Sequence, residues 1–242
     1  MKITFLNQTS STNAFLLEKA EAERVGSVVW TDDQTEGKGM GSNVWESEKG
    51  KNLTFSMGLD MSYMKAADQF LLSQAVPLGL YDVLETILPP TALSIKWPND
   101  LYYGDRKLCG ILINSSIHGM DMGVSVVGVG LNVNQMQFQD WPTHPISMKM
   151  VLHHDVELEP LLLRLVDAIE SRVRLLRTEE GVGVVQREYL QRLYRYRVWA
   201  DYEVAGVCVK RFITGIDAFG RLQTIDESGR SFTYDIKEIR FL

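Results

Sequence analysis

The chain has 242 residues, 45% of them apolar, which is enough for one sizeable core and argues against low-complexity disorder or a short disulfide-stapled peptide. Folding should bury roughly 70% of the unfolded surface. Acidic side chains outnumber basic ones 31 to 25, so bulk charge does not hold the protein to nucleic acid or lipid, and any bound anion must meet local cations. Such cations are scarce at first: Arg24 and Arg106 are the only arginines before residue 150. Cys109 and Cys208 form no C-x-x-C pair, which argues against a disulfide scaffold or a thiolate zinc site and fits a reducing cytoplasm. The apolar run at residues 1–6 is too short for a secretory signal, and no stretch approaches the roughly 18 apolar residues of a membrane span.

In chain order, residues 2–6 read as a strand. The polar residues 9–13 then offer N-caps to a helix over 14–20. A second strand is expected at 27–31. Leu53, Phe55, Met57 and Leu59 alternate with Thr54, Ser56 and Gly58, as in a strand with one buried face. Between these strands, residues 33–52 carry four glycines and read as a lid or binding loop, because long structureless loops are rare inside compact domains.

A core helix bent at Pro77 is expected over 67–88. Two hairpins follow, one turning at Gly104-Asp105 and one with long apolar strands over 108–117 and 123–133. The clearest helix runs from Pro160 to residue 177, with Leu162, Leu165, Val166, Ile169, Val173 and Leu176 on one face. Another helix is read over 184–194. From residue 198 onward, short β runs and the turns at 217–220 and 227–229 suggest a small β-barrel.

Several constellations bear on chemistry. Residues 34–45 hold Gly37, Lys38, Gly39 and Gly41, a pattern that suits an anion cradle of backbone N–H groups around one charge, or an ordinary flexible loop. It is neither a P-loop nor G-x-G-x-x-G. Pro98 confines Trp97 to extended geometry, and Asn99-Asp100 add turn chemistry. Lys107 opens a strand that otherwise looks buried, where its charge needs an anionic partner unless residues 105–107 are simply a solvated hairpin end. Gly128 and Gly130 allow close approach of a ligand or another backbone, and core packing alone would also explain them. Ser11 and Thr12 suit a polar ligand or a helix cap. His153-His154 has no partner at metal spacing, the Arg192 to Arg197 stripe reads as a solvated helix end, and apolar neighbours make Cys109 inert.

Taken together, these motifs resemble the biotin protein ligase family. Ser11-Thr12-Asn13 is similar to its S-T-N element, residues 34–45 to Q-x-x-G-R-G-x-x-x-x-x-W, and residues 96–100 to K-W-P-N-D. Residues 106–112 are similar to R-K-L-x-G-I-L, and 128–132 to G-x-G-x-N. The strong resemblance covers roughly residues 1–135, and the β-rich tail resembles the family's small C-terminal domain more loosely. It implies an α+β fold: a class II aminoacyl-tRNA synthetase/biotin ligase-like catalytic domain at 1–195, with a mixed sheet and flanking helices, and an SH3-like β-barrel at 196–242. The helix-turn-helix of repressor-type members has no counterpart ahead of these motifs, so operator binding is not expected.

The implied reaction is ATP-dependent. Biotin and ATP give biotinyl-5′-AMP, and a lysine of a biotin carrier domain, in a carboxylase or decarboxylase, takes the biotinyl group. By resemblance Lys107 and Lys38 would be catalytic. Ser11, Thr12, Asn13, Gln34, Gly37, Gly39, Met40, Trp45 and Gly110 would join them in binding biotin. Lys96, Asn99, Asp100 and Asn132, with Lys107, would face the nucleotide. Mg²⁺ would accompany the phosphates, with Asp100 the candidate protein contact. No DNA or membrane partner is expected, and a homodimer is compatible with the sequence. The chain departs from the family at Lys38, where arginine is usual, and at Met40, where several members carry a second arginine or a glutamine. The lipoate and octanoate transferring enzymes share the broad fold, and a non-catalytic biotin or nucleotide sensor is the rival of another class.

Overall fold

A seven-stranded mixed sheet forms the centre of the computed structural model, which describes residues 1–41, 43–139 and 144–242. Its strands are β1 (Lys2–Leu6), β2 (Ser27–Thr31), β3 (Leu53–Asp60), β4 (Leu93–Lys96), β5 (Asp100–Tyr103), β6 (Arg106–His118) and β7 (Asp121–Leu131). They lie in the order β1-β2-β3-β7-β6-β5-β4, with β1 and β2 parallel and every other neighbour antiparallel. The hairpins β5-β6 and β6-β7 are the two expected from the turn residues, with Gly104 and Gly119 at positive φ. Strand β4 was not anticipated; four residues with two of them polar carry too little signal.

The strand read as half-buried is buried on both sides: every residue of β3 except Asp60 is shielded. The reason is its central position. Phe55 and Met57 join the main core beneath the helices α3 (Phe70–Leu84) and α5 (Leu158–Leu175). On the opposite face the short helix α1 (Thr12–Leu17) covers the polar residues, and Leu16 forms a second apolar cluster with Val29 and Val126. Thr54 and Ser56 tolerate burial because each hydroxyl is paired, Thr54 to the Thr31 carbonyl and Ser56 to Thr12.

Helix α3 is shorter than expected because residues 66–68 form a single tighter turn. Gly79 lets it approach α5 closely, since a Cβ there would lie 2.6 Å from the Ile169 Cα. The expected apolar face of α5 is buried throughout, though the helix starts at Leu158 and leaves Pro160 in the first turn, where no intrahelical N–H bond is lost. Helix α6 (Glu179–Gln191) begins earlier than read because Gly181 and Gly183 hide its first turn, while Thr178 caps it by accepting from the Gly181 N–H at 3.1 Å. The short helices α2 (Glu21–Arg24) and α4 (Met148–Leu152) were not anticipated. No helix among the described residues is long and apolar enough to cross a membrane.

A second, antiparallel sheet follows: β8 (Trp199–Val204), β9 (Val207–Ile216), β10 (Leu222–Ile225), β11 (Ser231–Tyr234) and β12 (Ile239–Phe241), in the order β11-β10-β9-β8-β12. Its expected turns are present, with Gly220 and Gly229 at positive φ. Tyr202, Ile213, Leu222, Tyr234 and Ile239 belong to the same apolar core as α3 and α5. At the seam, the Trp97 indole N–H donates to the Gly220 carbonyl at 2.9 Å.

Arg172 on α5 ties three helices together. It donates two bonds to Asp82 of α3, at 2.5 and 2.7 Å, and pairs with Glu188 of α6 at 2.8 Å. Its side chain is only 14% exposed, so removing it strands the partly buried Asp82 carboxylate, while Glu188 keeps its pair with Arg192. Arg172→Ala should therefore lower unfolding free energy by about 2 kcal/mol, read from urea denaturation, more than an exposed pair would cost.

Candidate active site

The glycine-rich segment is not structureless. Its entry runs beside residues 9–10, with the Thr35 and Glu36 N–H groups donating to the Thr9 and Ser10 carbonyls at 3.0 and 2.8 Å. It then folds into a small hairpin, where the Gly39 N–H donates to Asn43 and the Trp45 N–H to Gly37, at 2.8 and 2.9 Å. Its return is pinned by Asn52, which accepts from the Val133 N–H at 2.9 Å and donates to Gln135 Oε1 at 2.5 Å. The hairpin lies over a cavity of roughly 130 Å³ between α1, β6 and β7.

The glycines of β6 and β7 make room for two side chains that wall this cavity. A Cβ on Gly130 would lie 2.3 Å from the Trp45 ring, and one on Gly128 would lie 2.7 Å from Asn13 Nδ2. A Cβ on Gly110 would meet Trp45 at 3.1 Å and the Lys107 Nζ at 3.3 Å. The alternative left open by the sequence is thus decided: the strand glycines seat protein side chains, and those side chains face the cavity.

Along this floor the site changes character. Near Gly128 stands a neutral polar cluster. The Thr12 N–H donates to Gln34 Oε1 at 2.9 Å, and the Thr12 hydroxyl shares a 2.8 Å hydrogen bond with Ser56. Ser11 caps α1 by accepting from the Ala14 N–H at 3.4 Å, and it also lines the cavity. Asn13 Oδ1 and Trp45 Nε1 are buried with no hydrogen-bond partner among the described residues, so each has unused capacity toward a ligand. Near Gly110 stands an ion pair, Lys107 Nζ to Asp100 Oδ2 at 2.6 Å, with both side chains about one-fifth exposed. Lys107 is therefore a paired, half-buried cation and not a solvated hairpin end. Asn99 lines the same side and donates to the Ile111 carbonyl at 2.6 Å.

Lys38, Gly39 and Met40 line the cavity from the hairpin, whereas Gly37 lies outside the lining and packs against the Trp45 carbonyl. Two other residues expected at the site also stand behind it. Asn132 is buried and donates to the Ile146 and Lys107 carbonyls at 3.1 and 3.4 Å, so it fixes the backbone that carries Lys107. Lys96 points toward the second sheet. It donates to the Tyr102 hydroxyl at 2.9 Å and lies over the Tyr102 and Phe241 rings. Burial pushes its pKa down to about 8, against the opposing pull of Asp100, with Lys107 lowering it further. The three lysines therefore do not share one cavity: Lys38 and Lys107 do, and Lys96 stands beyond it.

Ser56 is one of several lining residues that sequence reasoning missed, with Asn43, Val44, Pro98, Ile111, Leu112 and Val129. Its alternation in β3 marked it as facing away from the main core, but only α1 folding over that face makes it a cavity wall. Burial raises the Cys109 thiol pKa well above its ordinary value, as its apolar neighbours imply. His153 ends α4 in the left-handed conformation, and Arg192 is engaged with Glu188 and the Tyr81 ring. No group of three His, Cys, Asp or Glu suited to a metal ion occurs among the described residues.

The cavity thus lies on the sheet under a glycine hairpin, with neutral polar groups at one side and an ion pair at the other. The model of the biotin/lipoate A/B protein ligase family matches residues 5–132, and the chain belongs to that family. The chain is 34% identical over 164 residues to a biotin-[acetyl-CoA-carboxylase] ligase of Paracoccus denitrificans, covering 65% of this chain and 67% of that one. It is 41% identical over 131 residues to biotin-protein ligase 1, chloroplastic, of Arabidopsis thaliana, covering 53% of this chain; it spans about a third of that relative's length (35%). The fold matches biotin protein ligase from Aquifex aeolicus in complex with biotin and ATP, with a TM-score of 0.82 at 20% identity over 100% of this chain and 98% of that one.

Because Lys96 has a lower pKa folded than unfolded, its charged form is disfavoured by folding. Between about pH 8 and the ordinary lysine value of 10.5 the unfolded chain binds more protons, so stability contributed by this group rises with pH across that window. Lys96→Met should remove that rise, as measured by urea unfolding of the unliganded protein at pH 8 and pH 10.

Proposed function

We propose that the chain is an ATP-dependent biotin protein ligase. It converts biotin and ATP to biotinyl-5′-AMP and pyrophosphate, then passes the biotinyl group to one lysine of a biotin carrier domain, such as that of acetyl-CoA carboxylase. The observation that carries this reading is the pairing, in one cavity, of a neutral hydroxyl and amide cluster with the Lys107–Asp100 ion pair.

The neutral cluster suits a ureido ring, which offers N–H donors and a carbonyl acceptor to Thr12, Asn13, Gln34 and Ser56. A dithiolane offers neither, so lipoate would leave the buried Asn13 Oδ1 and Trp45 Nε1 without a partner, at a cost of about 1–3 kcal/mol each. Trp45 and Gly110 flank the ligand's apolar middle. Its carboxylate then meets Lys107, which exchanges Asp100 for the new anion and so avoids an uncompensated buried charge.

In the first step a carboxylate oxygen forms a bond to the α-phosphorus while the bond to the departing pyrophosphate breaks. Two anions must approach, so Lys107 and Lys38 neutralise charge from opposite sides of the cavity. Mg²⁺ bound with ATP would add counter-charge. Asp100, the one carboxylate among the described lining residues, fits it, because Mg²⁺ commonly takes one or two carboxylates with substrate phosphates. Asn99 borders the nucleotide, and Lys96 and Asn132 act from behind, the first through its field and the second by holding the Lys107 backbone. In the second step the carrier amine bonds to the acyl carbon, AMP leaves, and the amine's proton passes to Asp100 or to solvent. The hairpin over the cavity keeps water from the mixed anhydride in between.

The deciding experiment incubates the purified chain with biotin, MgATP and a biotin carrier domain and reads mass on the carrier lysine. No mass gain would reject the ligase reading. Thermal stabilisation by biotin and not by lipoate separates the two branches of the family. Lys107→Ala should lower ATP–pyrophosphate exchange by at least about 100-fold while leaving the circular dichroism spectrum unchanged; exchange at the wild-type rate removes Lys107 from the chemistry. Because Lys38 and Met40 replace a fork-bearing pattern, Met40→Arg should slow release of biotinyl-5′-AMP by about fivefold in a competition assay.

A further inference from the structure

The turn that brings Pro98, Asn99 and Asp100 to the cavity wall is held from behind by a tyrosine outside the lining. Tyr189 of α6 is fully buried, and its hydroxyl donates to the Pro98 carbonyl at 2.7 Å. Burying a phenol is costly unless its hydroxyl is paired, and a phenylalanine would fill the same space without that demand. Burial, with the Asp100 charge adding to it, raises the Tyr189 pKa far above its ordinary value, so the hydroxyl keeps its proton and remains a donor.

The surroundings fix where that hydroxyl stands. Just beyond the last turn of α6, the Ile95 N–H donates to the Arg192 carbonyl and the Tyr194 N–H to the Ile95 carbonyl, both at 2.8 Å, which stitches the helix end to β4. The Tyr189 ring meets Phe70 edge-on, with centroids 6.3 Å apart, and Phe70 packs on Gly220. Gly220 in turn accepts from the Trp97 indole at 2.9 Å. Two successive residues of the turn are thus clamped, one by its side chain and the next by its carbonyl.

The second clamp bears on the site because a peptide unit is a rigid plane. Fixing the direction of the Pro98 carbonyl fixes the plane that leads into Asn99, and so the course of the backbone that presents Asn99 and Asp100. Asn99 then reaches the Ile111 carbonyl at 2.6 Å, and Asp100 reaches Lys107 at 2.6 Å. Bonds this short tolerate little displacement of either end.

We propose that Tyr189 is a positioning residue for adenylate formation: its hydroxyl, acting through the Pro98 carbonyl, sets where Asp100 stands and keeps the Asp100–Lys107 pair in place at the cavity. Control over the pair concerns the unliganded chain. The consequence for adenylate formation rests on the ligase reading, in which Asn99 and Asp100 serve the nucleotide side.

The test uses Tyr189→Phe in the full chain, which removes one oxygen and keeps the ring against Phe70. Val185→Ala, at a buried position of the same helix, supplies a loss of packing that leaves the Pro98 bond in place. Availability of the Lys107 amine is read by trace acetylation of the unliganded proteins and mass spectrometry, normalised to the exposed Lys49. Lys107 should label about threefold faster in Tyr189→Phe, because a loosened turn frees the amine from Asp100, whereas Val185→Ala should match wild type. In an Asp100→Asn background Tyr189→Phe should add nothing further, since both changes act through one contact. In ATP–pyrophosphate exchange, kcat/KM for MgATP should fall about fivefold in Tyr189→Phe with biotin affinity unchanged.

A purely structural role lowers the melting temperature and moves neither labelling nor exchange. Lys107 labelling at the wild-type rate in Tyr189→Phe, or raised as much by Val185→Ala, overturns the proposal, as does an increase that persists in the Asp100→Asn background. A Tyr189→Phe chain that does not fold counts for the structural role and overturns it too. Faster labelling beside unchanged exchange removes Tyr189 from adenylate formation. A wild type without exchange overturns the ligase reading instead, and the labelling still decides whether Tyr189 controls the pair.

Discussion

The arrangement of the site depends on a single half-buried ion pair. Lys107 enters the structure on the first turn of a strand whose later residues are core, and burying an ammonium there without a partner would cost more than the strand could recover. Asp100 supplies that partner from the preceding hairpin strand. The pairing sets where a cation faces the cavity, and it leaves that cation able to exchange one anion for another. Asn132 and Asn99 stabilise the same corner through bonds to the backbone of β6.

Small residues do the complementary work. Gly110, Gly128 and Gly130 have no ligand-specific chemistry of their own; their absent side chains let Trp45 and Asn13 rest on the sheet. A glycine hairpin, a helix N-terminus and two strands thereby enclose a volume that none of them encloses alone. The second sheet is joined to the main sheet at the Trp97–Gly220 seam and shares its apolar core, so it is not an appendage.

Much of this was legible in the chain order of residues, because the information is local. The hairpins followed from turn glycines, the face of α5 from its periodicity, and the site motifs from short patterns such as residues 96–100 and 106–112. Readings failed where a neighbour distant in sequence decides the outcome. Ser56 looked solvent-facing until α1 covered it. Lys96 looked like a third cavity cation, but Tyr102 and Phe241 draw its side chain toward the second sheet. The segment at 33–52 looked open because its ordering bonds run to residues 9, 10, 133 and 135.

The sequence by itself pointed to the family and to the types of most elements, since periodicity, turn chemistry and motif spacing are properties of short stretches. Only the tertiary structure decided which polar residues share a wall, which lysine faces away, and what the glycines make room for. Those outcomes depend on distances between segments scores of residues apart, and burial and pairing energies are set by such distances and not by order along the chain.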